Sequence, residues 1–430
     1  MNKKSTMQPI KVHINELGAI IDSDIDITPV MIFSGESGLG KSYAAILSHY
    51  IFDMLLSSFR LNNFFTERNI NFKDERSKYK DQGIALTIKK SEIEEWLSND
   101  AVSYMKYMLH NDNLTADIQF MLPDIIDDEI ECRYEEELLG FVEHEEAYIK
   151  LNMLGLTYRV KDETIEEESP YSVILRFGLI NRIFGDFKAL SNTFIFPPSR
   201  GTILTEDVTP QTGLYQRFKD SLEYISKMPS HEEDVPEELL DLLRKVLDGS
   251  VHRKDNKYLY RTHDSELPIS AAAASVRELA PFIMLIERFS IKTTAMLIEE
   301  PEAHLHPLRQ RMMADIISIM CSRGTMMQIT THSDYFLRRL NELISLYKLS
   351  IMNSEDEFNA IAKEVDIDPK LMLNPDCISA YLLERTPSGR SMIKKQDLIN
   401  GVPFSAFTKA IDDSLSKSIK LNEYLENECI

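Results

Sequence analysis

The octet Gly35-Glu36-Ser37-Gly38-Leu39-Gly40-Lys41-Ser42 constrains the fold of this chain more than any other stretch. Residues 29–33 before it form a short continuous apolar run that reads as a buried strand. Residues 43–59 after it are apolar on most sides, with the spacing of a buried helix. A GxxxxGK[ST] pattern between a strand and a helix is a phosphate-binding loop in the context its chemistry requires. The glycines let backbone N–H groups curl around a β-phosphate, and the N-terminal dipole of the new helix faces the negative charge. On this reading Gly35, Glu36, Ser37, Gly38, Leu39 and Gly40 line the phosphates. Lys41 reaches the β- and γ-phosphates and the Ser42 hydroxyl ligates Mg²⁺, so the expected ligands are ATP and Mg²⁺.

A second pattern fits the first. Residues 295–307 read AMLIEEPEAHLHP, an apolar strand that delivers Glu299 and Glu300 to its C-terminal end, the edge where α/β sheets place ligands. Glu299, nearer the strand, is expected to hold Mg²⁺ through water, and Glu300 to polarise the attacking water. His304 and His306 with Glu302 offer three liganding groups on one short turn and no fourth nearby, a poor zinc site. They read as turn residues near the nucleotide. A third strand then runs into Thr330-Thr331-His332-Ser333. His332, at the end of a strand beside the carboxylate strand, is placed to contact a γ-phosphate and sense its loss; the alternative is a structural histidine.

Around these motifs, residues 10–14 and 19–27 alternate about a hairpin break at Glu16-Leu17-Gly18. Residues 60–167 are acidic and poor in Gly and Pro, with a capping box at Ser91–Glu94 opening a helix to about His110. Carboxylates are dense at 124–137 and 143–146, and 148–160 is strand-like. The segment reads either as an insertion with a solvated acidic face or as a dock for a basic partner. Residues 171–184 read as a helix and 193–196 as a strand leading into Pro197-Pro198-Ser199-Arg200-Gly201. Residues 232–238 are acidic and exposed, and 251–261 form a hairpin turning at Asp255-Asn256. From Ser275 a helix, a strand at 295–298, a helix at 308–321, a strand at 326–329 and a helix from Tyr335 argue for a parallel sheet covered by helices. Strand-like runs at 378–383 and 391–394 and a last helix from about Phe404 complete the chain.

Charge excludes a class of function. Lys plus Arg number 48 and Asp plus Glu 69, for a formal net charge of −21. Such a chain does not grip nucleic acid by bulk charge; contact would need a local basic patch such as residues 68–80, and binding by the isolated chain is expected to be weak. No apolar run approaches the ~18 residues of a membrane helix, and the N-terminus lacks the apolar core of a signal peptide. The cysteines Cys132, Cys321, Cys377 and Cys429 are scattered, with no CxxC pair. A reduced, cytoplasmic, soluble protein without a membrane partner is expected.

The order of phosphate loop, LIEEPEAHLHP and TTHS resembles the ABC-type ATPase head of the RecF, SMC and OLD group. The IEEPEAHLHP wording is similar to bacterial OLD-like ATPases, including the ATPase subunits of the Septu and PARIS anti-phage systems. Residues 14–20 resemble that group's opening hairpin, and the likeness spans about residues 8–60 and 250–345. It implies an α/β P-loop NTPase fold of the ABC-ATPase head type: a mixed sheet flanked by helices, with a helical and strand insertion in the middle of the chain. The implied segments are 1–60 and 193–345 as the two parts of the ATPase core, 61–192 as a family-specific insertion, and 346–430 as a C-terminal strand-helix extension. It further implies that Lys41 and Ser42 are Walker A residues and that Glu299 stands for the usual Walker B Asp. Glu300 would be the catalytic base, 303–307 the D-loop and His332 the switch histidine, in a dimer that closes around two ATP molecules. One departure stands out. Relatives carry a serine–glycine signature before a helix with a Leu-x-Pro element. Here Leu279-Ala280-Pro281 is kept, while Ser275 occupies the glycine position and Ala274 the serine. Ser275 can cap the helix and offer a hydroxyl to nucleotide, but its backbone cannot approach phosphate as closely as glycine. Arg200 reads either as a contact to nucleotide or the neighbouring subunit, or as part of a plain surface loop.

Three functions compete. The first is an ATP-hydrolysing sensor or scaffold subunit of a bacterial anti-phage system, controlling a separate effector such as a nuclease. The second is a RecF-like repair or recombination ATPase, and the third a nucleotide-dependent assembly protein with negligible turnover. Glu300 favours hydrolysis over the third reading, and the altered signature keeps the third open. No long heptad stretch is present. Only about a hundred residues follow His332, and a nuclease domain of the chain's own is not expected among them.

Overall fold

The computed structural model of the chain describes residues 8–72, 83–141, 144–161, 169–186, 188–206, 208–230, 235–254, 257–402, 413–422 and 424. Most of the basic stretch at 68–80, Glu143, the acids at 232–234, the hairpin tip Asp255-Asn256, Cys429 and the start of the last expected helix fall outside the described residues.

The large sheet contains β1 (Ile10–Leu17), β2 (Ile20–Ile27), β3 (Val30–Gly35), β5 (Ala116–Met121), β9 (Asn192–Phe196), β13 (Thr294–Glu299), β14 (Met326–Thr330), β15 (Ile378–Arg385) and β16 (Ser391–Lys395). Their spatial order is β5-β1-β2-β16-β15-β3-β14-β13-β9. β15, β3, β14, β13 and β9 run parallel to one another, while β1 pairs antiparallel with β2 and β5, and β15 with β16. Patterning explains this split. Every residue of β3, β13 and β14 is buried, as strands covered on both faces require; β1 and β2 alternate, as a one-sided flank does.

Two further sheets branch from the core. One is antiparallel, β4 (Ile84–Lys89), β6 (Glu129–Phe141), β7 (His144–Met153) and β8 (Leu156–Lys161) in that order. The other is the small meander β10 (Ser250–Lys254), β11 (Lys257–Arg261) and β12 (Glu266–Pro268). The helices are α1 (Lys41–Leu56), α2 (Ser58–Glu67), α3 (Lys90–Leu109), α4 (Pro170–Phe184), α5 (Arg200–Thr205) and α6 (Gly213–Lys227). They continue with α7 (Glu237–Leu247), α8 (Ala274–Ile286), α9 (Pro307–Ser322), α10 (Asp334–Met352) and α11 (Glu355–Glu364). Alternate residues of the central strands feed two cores on opposite faces. Met31, Phe33, Ile195 and Leu297 pack with α1, α3 and α4, whereas Ile32, Phe196, Ile298 and Ile329 pack with α8, α9 and α10. Among the described residues no helix is long and apolar enough to cross a membrane.

The sheet cuts across the segments expected from sequence. β5 lies within 61–192 yet extends the core sheet beside β1, and β15 and β16 lie within 346–430 yet sit in the middle of the sheet against β3 and β2. Alternation in a sequence marks a strand but not its distant partner. The capping box expected at Ser91–Glu94 is also displaced. α3 starts at Lys90, and the Glu92 carboxylate accepts the Lys89 N–H at 2.9 Å. Glu94 instead accepts the Leu122 N–H at 2.8 Å, tying the helix to the end of β5.

Parallel register sets the functional edge. Phe33 of β3 lies opposite Thr330 of β14, and Thr330 opposite Glu299 of β13. Three strand ends, and the turns that follow them, therefore come together side by side.

Candidate functional site

The first of these turns is the phosphate loop. Gly35 ends β3 with φ 132°, and a Cβ there would meet the Leu383 carbonyl oxygen of β15 at 2.5 Å, so only glycine fits the crossing. Ser391 of β16 donates its buried hydroxyl to the Leu39 carbonyl at 2.8 Å. The loop is thus braced by β15 and β16. Glu36, Ser37 and Gly38 form its exposed tip, and Gly40, with φ 96°, opens α1.

Lys41 and Ser42 begin that helix. Lys41 is 6% exposed and donates from Nζ to the carbonyls of Gly35 at 3.0 Å and Glu36 at 2.8 Å. Burial lowers its pKa to about 8, against the opposing charges of Glu300, Glu299 and Glu302. The Ser42 hydroxyl donates to the Glu299 carboxylate. Glu299, the last residue of β13, is 3% exposed. Burial raises its pKa to about 7; the Ser42 hydrogen bond and the charges of Arg200 and Lys41 oppose this, while Glu300 adds to it. A hydroxyl and a carboxylate meeting at the end of the loop are hard oxygen donors, and they fit Mg²⁺ held beside phosphates.

Glu300 leaves the strand in the left-handed region, φ 45°, and its N–H donates to the Thr330 carbonyl at 3.0 Å. The turn carries its side chain out of the sheet to 40% exposure, with Oε1 3.6 Å from His332 Nε2. Burial and the Lys41 charge lower the His332 pKa, against Glu300, so the ring is neutral at neutral pH. The structure therefore brings Lys41, Ser42, Glu299, Glu300 and His332 to one edge.

Sequence reasoning passed over Glu302, counted only in the rejected zinc set. It is 5% exposed, and one carboxylate oxygen accepts the Thr331 hydroxyl at 2.6 Å and the His332 N–H at 2.9 Å. It locks the turn after β13 to the turn after β14. Its other oxygen is buried without a hydrogen-bond partner, and burial raises its pKa. No local pattern separates this carboxylate from the pair before it. His306 accepts the Leu308 N–H at 3.4 Å and caps α9, while His304 stands exposed with φ 62°.

Two other expectations meet a different geometry. Arg200 belongs to no surface loop: it is 1% exposed, with its guanidinium spent on backbone carbonyls inside the protein. Ser275 does not cap a helix. α8 begins at Ala274 after a 3₁₀ turn at Ile269–Ala271, leaving Ala273 at the cap and Ser275, half-buried, in the first turn. None of the hydrogen bonds that join the Lys41–Glu302 cluster reaches it.

A mixed sheet with an antiparallel flank, a phosphate loop after a central parallel strand, and a carboxylate pair two strands away define the P-loop ATPase fold of the ABC-head type. The AAA ATPase domain family matches residues 205–337, which take in Ser275, Glu299, Glu300 and His332 and leave out the phosphate loop. Among curated proteins none matches the chain. Three similar solved structures are SMC heads. An SmcHead bound to the C-winged helix domain of ScpA is 11% identical, with 91% of this chain and 98% of that one covered and a TM-score of 0.36. The SMC head domain from Thermotoga maritima is 11% identical, with 91% and 100% covered and a TM-score of 0.32. An Smc head with an extended coiled coil, bound to the C-terminal domain of ScpA derived from Pyrococcus furiosus, is 12% identical, with 95% and 99% covered and a TM-score of 0.36. These superpositions are loose, and the fold rests on the topology and edge geometry of this chain.

Proposed function

We propose that this chain binds ATP with Mg²⁺ and hydrolyses it. The observation that carries the reading is the meeting of Lys41, Ser42, Glu299, Glu300 and His332 where β3, β13 and β14 end together. Lys41 exchanges the carbonyls of Gly35 and Glu36 for β- and γ-phosphate oxygens. Ser42 and Glu299 would hold Mg²⁺, which neutralises phosphate charge when bound. Glu300, turned toward solvent, accepts a proton from the attacking water. His332, neutral and beside Glu300, donates a hydrogen bond to the γ-phosphate and loses it when phosphate leaves.

Phosphate release and nucleotide retention, measured side by side, test the assignment. Lys41→Ala should lose nucleotide binding. Glu300→Gln keeps size and hydrogen bonding but not the base, so it should bind and retain ATP while turnover falls on the order of 10²-fold or more. Undiminished turnover in Glu300→Gln sinks the assignment of the base.

The wider reading is a sensor or scaffold subunit of a bacterial anti-phage system, two copies closing around two ATP molecules and governing a separate effector such as a nuclease. The IEEPEAHLHP wording supports it. Nucleotide state would act by shifting the assembly between two arrangements. The chain should be purified with the products of its neighbouring genes and assayed for nuclease activity with and without them. Robust metal-dependent cleavage by this chain alone, unaffected by Lys41→Ala, overturns that reading.

A further inference from the structure

Arg200 is among the largest fully buried side chains of the protein, and the reaction outlined above gives it no task. Its Nε donates to the Glu278 carbonyl in α8 at 2.7 Å. One terminal nitrogen donates to the Pro197 carbonyl at 3.1 Å and to the Glu299 carbonyl at 2.8 Å. The Glu278 carboxylate lies 3.8 Å from Nε and accepts the Gly201 N–H at 3.1 Å. One guanidinium thus joins the end of β9, the end of β13 and the middle of the helix that carries Ser275.

The bond to Glu299 has a particular consequence. The peptide between Glu299 and Glu300 is held on both sides, its carbonyl by Arg200 and its N–H by the Thr330 carbonyl. That peptide sets the direction in which Glu300 leaves the strand, and Glu300 adopts a backbone conformation that a non-glycine residue keeps only where its surroundings impose it. At the other end of Arg200, Gly201 lets α5 approach α8 closely. A Cβ at Gly201 would meet Arg277 Cβ at 2.9 Å and Glu278 Oε1 at 3.0 Å.

We propose that Arg200 is a positioning residue that ties the orientation of Glu300 to the placement of α8, so that a shift of the helix bearing Ser275 changes the aim of the catalytic carboxylate. The inference rests on the hydrolytic reading above. The joint is built from protein groups alone, Arg200 with the Glu278, Pro197 and Glu299 carbonyls.

Two variants test the joint from opposite sides. Arg200→Lys keeps the charge but cannot serve three carbonyls with a planar fork. Gly201→Ala leaves Arg200 intact and forces α5 away from α8. Both should bind ATP within about twofold of wild type, because Lys41 and Ser42 are untouched. Both should lose about 10- to 100-fold in kcat at unchanged KM, the signature of a misaimed group. Backbone amide exchange over residues 299–302 should quicken by about tenfold in each, with the phosphate loop unaffected. Exchange is read without turnover, so it judges the joint even if wild type proves inactive, an outcome that would count against the hydrolytic reading alone. Unchanged exchange over 299–302 in the folded variants overturns the proposal. So does a fall in ATP affinity that parallels the loss of kcat, which would reveal a general structural role.

Discussion

Replacing Glu299 by Gln should strengthen the fold and weaken the site, by an amount that depends on pH. Glu299 is 3% exposed, and burial raises its pKa from the ordinary 4.5 to about 7. Between those values the folded state holds a proton that the unfolded chain has released. Stability from this group is therefore fully present below pH 4.5 and is lost as pH rises toward 7. A shift of that size corresponds to about 3 kcal/mol once both states are ionised. Gln keeps the shape and can still accept the Ser42 hydroxyl, but it never ionises. Measured against wild type in metal-free buffer, Glu299→Gln should gain about 2–3 kcal/mol in unfolding free energy between pH 5 and pH 8. Denaturant midpoints at the two pH values provide the assay, with the change in the difference as the readout. Binding should move the other way: above about pH 7 the variant lacks the carboxylate charge beside Ser42, so Mg²⁺-dependent nucleotide affinity falls, and the difference from wild type narrows as Glu299 takes up its proton at lower pH. A difference in stability that stays flat from pH 5 to pH 8 would refute the claim that burial governs this carboxylate.

Two further outcomes follow from the loop and its lysine. Gly35→Ala places a methyl 2.5 Å from the Leu383 oxygen at φ 132°, whereas Gly38→Ala, at φ 79°, meets nothing within 4 Å. In a nucleotide titration the first, which adds a backbone clash to its own positive φ, should therefore lose more ATP affinity than the second, whose cost is confined to the left-handed backbone penalty of about 1–2 kcal/mol, roughly 5- to 30-fold. Lys41, lowered to about 8 by burial, is charged below that pH. ATP affinity should accordingly fall by up to about tenfold per unit as pH rises through 8, and Lys41→Arg, always charged, should flatten that slope if it still binds.

The fold was legible where one strand's sequence states its own environment. The continuous apolar run at β3 announced a buried strand, the apolar run at β13 a strand ending in carboxylates, and the alternation of β1 and β2 a hairpin. Pairing was another matter. β16 meets β2 at Ser391 and Ile20, far apart in the chain, and β5 reaches β1 from inside a segment that reads as an insertion. Side-chain period reports which face is wet, not which strand lies alongside. The placement of β15 between β16 and β3 was beyond any local pattern, and it is what forces glycine at position 35.

The site divides in the same way. The phosphate loop and the Glu299-Glu300 pair could be proposed from spacing within one turn, because a phosphate or an attacking water would demand particular groups at particular offsets. Glu302 and Arg200 could not. Each works by satisfying backbone groups of a distant segment: the His332 N–H for Glu302, and the carbonyls of Glu299 and Glu278 for Arg200. Such partners have no side-chain identity, so nothing in their own sequence marks them. The physical demand is strict even so. Three neighbouring turns must stay aligned although Lys41, Glu299 and Glu302 are all buried and charged or chargeable, and burial shifts each of their pKa values against ionisation. A cluster whose charges burial disfavours leans on the uncharged backbone contacts around it to keep its geometry. The residues that make those contacts are the ones whose loss should alter rate before it alters binding.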